Sequence, residues 1–147
     1  GSSYLPSDIL AGFLCAQLEA RDTIQSQRKA VWDYYNTHLA DWASERGVQT
    51  PYVPAHCEQS YHMFYLLLPS LDVRQALIEY LKSFGIYSVF HYLPLHISDM
   101  GKQFGGKVGD CPVTEDISDR LLRLPFYNSL TEADLALIVE KIKAFRF

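Results

Sequence analysis

The stretch Phe90-His91-Tyr92-Leu93-Pro94-Leu95-His96 delivers two imidazoles and a phenol from one short segment. Pro94 fixes its own φ and cannot donate to a sheet, so the segment reads as a stiff loop start at a strand end, where site residues commonly sit. Imidazole and phenol groups both donate and accept hydrogen bonds, which suits a polar, hydroxyl-bearing ligand. The same residues have a structural use, since Tyr and His satisfy one another at domain edges, and the spacing alone leaves both open. Gly101-Lys-Gln-Phe-Gly-Gly106-Lys107 has the G-x-x-x-x-G-K spacing of a phosphate loop. Val108 stands where a Ser or Thr hydroxyl should meet magnesium, and Gly109-Asp110-Cys111-Pro112 replaces the helix start that would hold phosphate. A nucleotide loop is therefore not expected. His56, Cys57 and His62, or His91 and His96 with Cys111, match no zinc spacing, and each set lacks a fourth ligand. No metal is expected.

Elements must position these groups. The 147 residues are 48% hydrophobic and 20% charged, enough for one domain with a real core. The net charge of -4 argues against a nucleic-acid surface. No apolar run approaches the roughly 20 residues that cross a bilayer, and no signal-peptide order opens the chain, so a cytoplasmic location without membrane contact is expected. Cys15, Cys57 and Cys111 are odd in number and widely spaced, as reduced thiols would be. Aromatic residues make up 14%, a supply that suits a broad packed interface as well as a core.

Ser7 and Asp8 open a helical pattern, with apolar residues at Ile9, Leu10, Phe13, Leu14 and Leu18, then at Ile24, Val31, Tyr35, Leu39 and Trp42, stopped by Gly47. Its length predicts a bend near 21–23 or two consecutive helices. Strands are predicted over 48–53, 61–68 and 86–90. Helices are predicted from Asp72 through 84, from Thr114 or Asp116 through 122, and from Thr131 to the end, with a Gly-punctuated loop over 98–111. The expected fold class is α+β: a long N-terminal helix, then a small, mostly antiparallel sheet covered by helices on one side. The expected organisation is an interdomain turn and connecting helix over 1–47 and a small domain over 48–147.

Gly1-Ser-Ser-Tyr4-Leu-Pro-Ser7-Asp8, followed by Ala11, Ala16, Gln17 and Leu18, resembles the G-x-N-Y-R-x-[ST]-[DE]-x-x-A-A-x-x-x-x-Q-L segment of the DegT/DnrJ/EryC1/StrS nucleotide-sugar aminotransferases. Gly85-Ile86 running into His91-Tyr92-x-Pro94-Leu95-His96 resembles that family's G-I-x-x-x-x-H-Y-x-P-L-H stretch. Arg120-Leu-Leu-Arg-Leu-Pro125 and Leu130-Thr131-Glu132-x-Asp134 are similar to its E-R-x-x-x-L-P and M-T-E-x-D ending. Ser3 replaces the common Asn, Leu5 the common Arg, and Gly12 the second Ala. The GSSY and FHYLPLH forms are most similar to the branch making TDP-4-amino-4,6-dideoxygalactose for lipopolysaccharide or enterobacterial common antigen.

The resemblance implies the small C-terminal domain of a fold-type-I enzyme that uses pyridoxal phosphate (PLP). The implied reaction moves an amino group from glutamate to C4 of a TDP-4-keto-6-deoxy-hexose. It implies a dimer in which Ser3 and Tyr4 approach the cofactor phosphate of the neighbouring subunit, while His91, Tyr92 and His96 line the sugar side. The family carries its PLP lysine in an S-x-H-x-x-K motif, and none of Lys29, Lys82, Lys102, Lys107, Lys141 or Lys143 has that context. The chain is therefore expected to be a fragment, silent alone, whose partners are the large PLP domain and the second subunit, and loss of the large domain is expected to uncover apolar surface around Phe13, Trp32 and Tyr35. The alternative is a freestanding α+β ligand-binding or regulatory module.

Overall fold

The computed structural model describes residues 4–147. Ser7 caps the first helix, α1 (Asp8–Glu19), its hydroxyl accepting from the Leu10 amide. The helix stops at Ala20 and restarts as α2 (Arg21–Arg46), so there are two consecutive helices. Gly47 ends α2 in the left-handed region at φ 64°, where a Cβ would be strained.

α1 buries nothing: Ile9, Leu10, Phe13, Leu14 and Leu18 are all mostly exposed. Two residues expected on that uncovered surface lie elsewhere. Trp32 and Tyr35 are buried, because Val31, Tyr35, Leu39 and Trp42 recur at helical spacing and this stripe of α2 enters the core. Phe64 meets both rings, at 5.7 Å from Trp32 and 5.4 Å from Tyr35, and the Tyr35 hydroxyl donates to the Pro125 carbonyl at 2.9 Å.

Three short strands form the sheet: β1 (Tyr65–Leu67), β2 (Val89–Phe90) and β3 (Leu121–Arg123), in the order β1-β3-β2 and antiparallel throughout. β1 and β2 fall inside predicted strands. The predicted strand over 48–53 reduces to one bridge between Gln49 and Leu67, since Pro51 and Pro54 have no amide hydrogen to extend a ladder. The central strand is a correction. The helix predicted through 122 is α5 (Pro112–Arg120), and Leu121 turns extended so that Leu122 pairs between Leu66 and Phe90. Leu122 is fully buried there, and pairing on both sides outweighs its helical propensity.

α3 (Leu71–Lys82) starts one residue before the expected cap, with the Ser70 hydroxyl accepting from the Val73 amide. A 3₁₀ turn (Leu95–Ile97) leads into the short α4 (Asp99–Gln103), a helix inside the stretch expected to be loop. α6 (Glu132–Ala144) begins with a capping box between Thr131 and Asp134 and turns Leu135, Ile138, Val139 and Ile142 inward, as the pattern predicts. These side chains, the α2 stripe and Leu77 and Leu81 of α3 enclose Leu66 and Leu122 in one core. Tyr65, Arg123 and Val89 lie across the three strands in one row, on the opposite face from Leu66 and Leu122. The fold is the expected α+β class, rich in helix, with a small antiparallel sheet.

Candidate functional site

β2 ends at Phe90, so the chain leaves the sheet at His91. Arg74 of α3 lies 5.7 Å from the Phe90 ring and donates to the Ser118 carbonyl, joining β2 to α3 and α5. Two side chains of α5 then hold the segment that follows. The Ser118 hydroxyl donates to the Tyr92 carbonyl at 2.7 Å, and Glu115 accepts from Nε2 of His96 at 2.8 Å. Glu115 and Ser118 sit one turn apart on the same helical face, so one rail fixes both ends of residues 92–96. Glu115 also accepts from the amides of Gly109 and Cys111. The His96 bond first, then the Gly109 amide, hold its carboxyl below the usual carboxylate range.

The two glycines of the rejected phosphate loop serve this turn instead. A Cβ on Gly101 would lie 2.0 Å from the Leu95 carbonyl oxygen, and one on Gly106 would lie 2.2 Å from that of His96. Only hydrogen fits at either position, so the backbone of α4 closes directly on the 3₁₀ turn.

His91 and Tyr92 border a cleft of about 610 Å³, walled by Leu93 and Leu95 on one side and Val113 and Ile117 of α5 on the other. The His91 ring meets Tyr92 edge-on at 4.5 Å, and its Nδ1 is buried without a hydrogen-bond partner among the described residues. Burial pushes the His91 pKa below the usual imidazole range, and the charges of Arg123 and His62 push the same way. A neutral imidazole is thereby favoured, able to accept at one nitrogen and donate at the other. Tyr92 is exposed, with the Arg123 guanidinium 5.7 Å from its ring centre.

His91 and Tyr92 thus share one cleft, whereas His96 is turned to Glu115 and braces the segment. Tyr4 lies exposed ahead of α1, and Ser3 lies outside the described residues. Sequence reasoning missed Glu115, Ser118 and Arg123 as partners of the segment. Glu115 and Ser118 carry an i,i+3 spacing on a predicted helix but nothing that names their partners; Arg123 follows directly on a stretch read as helix, with no strand predicted there.

Among the described residues, no three His, Cys, Asp or Glu side chains converge on a possible metal site, and no helix is long and apolar enough to cross a membrane. None of the six lysines borders the His91–Tyr92 cleft; Lys29 pairs with Asp33 and Lys141 with Glu140, both on helix surfaces. The residues present therefore do not by themselves fit PLP, which needs a lysine amine at the reacting atoms.

Residues 1–143 match the model of the DegT/DnrJ/EryC1/StrS aminotransferase family. The chain is 30% identical to MJ1066 of Methanocaldococcus jannaschii over 97% of its own length and 37% of that protein's. It is 25% identical to the dTDP-4-dehydro-2,3,6-trideoxy-D-glucose 4-aminotransferase of Saccharopolyspora spinosa, covering 97% of this chain and 35% of that one. Spr1654 of Streptococcus pneumoniae, solved in its PLP form, superposes with a TM-score of 0.84 at 25% identity, covering 94% of this chain and 35% of the other. The chain thus spans a little over a third of the length of these proteins.

Proposed function

Since the chain belongs to the DegT/DnrJ/EryC1/StrS aminotransferase family, we propose that it is the C-terminal small domain of a PLP-dependent nucleotide-sugar aminotransferase. The parent transfers an amino group from glutamate to C4 of a TDP-4-keto-6-deoxy-hexose, a step of lipopolysaccharide or enterobacterial common antigen synthesis, and works as a cytoplasmic homodimer. Supporting this, the family match runs almost the full length of the chain, and a relative named for 4-amination of a dTDP-deoxysugar aligns over 97% of it.

The chain's own contribution is to bind and orient the sugar. The observation that carries this is the half-buried His91, with an unpartnered Nδ1, on a cleft whose walls are otherwise largely apolar. A neutral His91 and the Tyr92 hydroxyl offer donors and acceptors to sugar hydroxyls, while Leu93, Leu95 and Ile117 offer an apolar wall beside them. His96 acts from behind, through Glu115. Ser3 and Tyr4 reach the cofactor phosphate of the neighbouring subunit, where hydroxyl and amide donors ahead of a helix suit an anion. The lysine and the cofactor are supplied by the large domain, and this chain alone is silent.

The test is His91→Ala in the parent enzyme. Losing a hydrogen bond to substrate predicts a fall of roughly 10- to 100-fold in kcat/KM for the keto sugar. An unchanged value removes His91 from the site.

A further inference from the structure

Arg123 is a cation without a counter-charge. The chain has 17 acidic against 13 basic side chains, yet among the described residues the ion pairs engage Arg21, Lys29, His96, Arg120 and Lys141 and leave Arg123 out. Its Nε is buried with no hydrogen-bond partner. Taking part of a guanidinium out of water is unfavourable unless an opposite charge or hydrogen bonds compensate. The Tyr92 ring at 5.7 Å compensates only in part.

The side chain borders a second cleft, of about 260 Å³, shared with His62 and walled by Tyr87, Val89 and Phe126. No carboxylate lines it. The two basic groups arrive by independent routes. Arg123 is fixed by its register on the central strand, opposite Tyr65 on one side and Val89 on the other. His62 follows Tyr61, the single non-glycine residue at positive φ (50°) among the described residues, and its Nδ1 lies 2.8 Å from the Ser60 hydroxyl. Tyr61 is held in that conformation by the edge of Trp32 at 5.9 Å and by Lys29, 5.6 Å from its ring centre. A left-handed tyrosine is strained, so the surrounding packing must maintain the turn that presents His62.

We infer that Arg123 and His62 form a binding site for a phosphate-class oxyanion; on the reading above, it is the diphosphate of the nucleotide-sugar substrate. A planar carboxylate is satisfied by the guanidinium fork alone, whereas a tetrahedral oxyanion has oxygens left for a second donor. The cleft has room for phosphate. Arg123 is then a residue that selects substrates for their phosphate, separate from the sugar contacts of His91.

The experiment records the Arg123 Nε–H and His62 imidazole signals of the isotopically labelled chain by NMR. Sodium pyrophosphate is titrated in, with sodium chloride and glutamate at matched ionic strength as comparisons. A saturable shift with pyrophosphate is expected, absent with chloride, at least about tenfold weaker with glutamate, and lost in Arg123→Gln. No saturable shift, an equal response to glutamate, or unchanged binding in Arg123→Gln overturns the assignment. Thermal melting of Arg123→Gln verifies that it folds, and His62→Gln, which alters an exposed side chain, must weaken pyrophosphate binding without abolishing it. In the parent enzyme, Arg123→Gln must raise the KM for the nucleotide sugar about tenfold and leave that for the amino donor unchanged. A parent that transaminates with an unaltered sugar KM overturns this site and leaves the aminotransferase reading intact. Pyrophosphate binding by the chain, with no transamination by the parent, does the reverse.

Discussion

Glu115 gathers three donors, the Nε2 of His96 and the amides of Gly109 and Cys111, onto one carboxylate oxygen. Each donor favours the ionised form, so the folded state binds a proton less readily than the unfolded chain. For a carboxyl depressed on folding, the stabilisation is complete above its unfolded pKa and disappears as pH falls through the folded one. Glu115→Gln should therefore lower the melting temperature at neutral pH, and the gap to the parent sequence should close as pH drops through the carboxylate range. A gap that widens in acid contradicts this account. His91 shows the opposite arrangement, an Nδ1 with no hydrogen-bond partner among the described residues, and that contrast between the two histidines of one segment separates the brace from the proposed ligand contact.

At the scale of elements, the 3₁₀ turn carrying His96 is set by close approach. Gly101→Ala or Gly106→Ala places a methyl against a carbonyl oxygen, neither of which is the end of a flexible side chain. Overpacking of this kind costs about 1–3 kcal/mol, and calorimetric melting should register it. Gly12→Ala is the control: nothing lies within 4 Å of its Cβ, α1 is exposed, and helical propensity favours alanine, so no loss is expected. The glycines were legible as punctuation in the sequence, but their spacing pointed to phosphate. Their actual use is to admit the carbonyls of the turn just before α4. β3 was illegible for a related reason: Leu121–Arg123 continues a helical pattern locally, and only the edges of β1 and β2 make it a strand.

At the scale of the whole molecule, α2, α3, α6 and the sheet close one core, while α1 stands with its apolar residues uncovered. A chain of this extent offers no lysine at the His91 cleft. Mixing it with PLP and borohydride should give only scattered, substoichiometric labelling of its lysines by mass spectrometry; one lysine labelled stoichiometrically would refute its proposed silence. The sequence by itself determined the longer helices, because capping residues and 3.6-residue periodicity are local signals, as at Ser7, Gly47 and Thr131. It also determined the family, since that rests on ordered motifs. The tertiary structure alone decided which residues meet: Trp32 and Tyr35 in the core instead of on the surface, Glu115 on His96, Ser118 on Tyr92, and Arg123 beside His62. Each pair joins segments that are separate in the chain or whose local pattern is ambiguous, and contacts of that kind come from burial and strand register, which no local signal encodes.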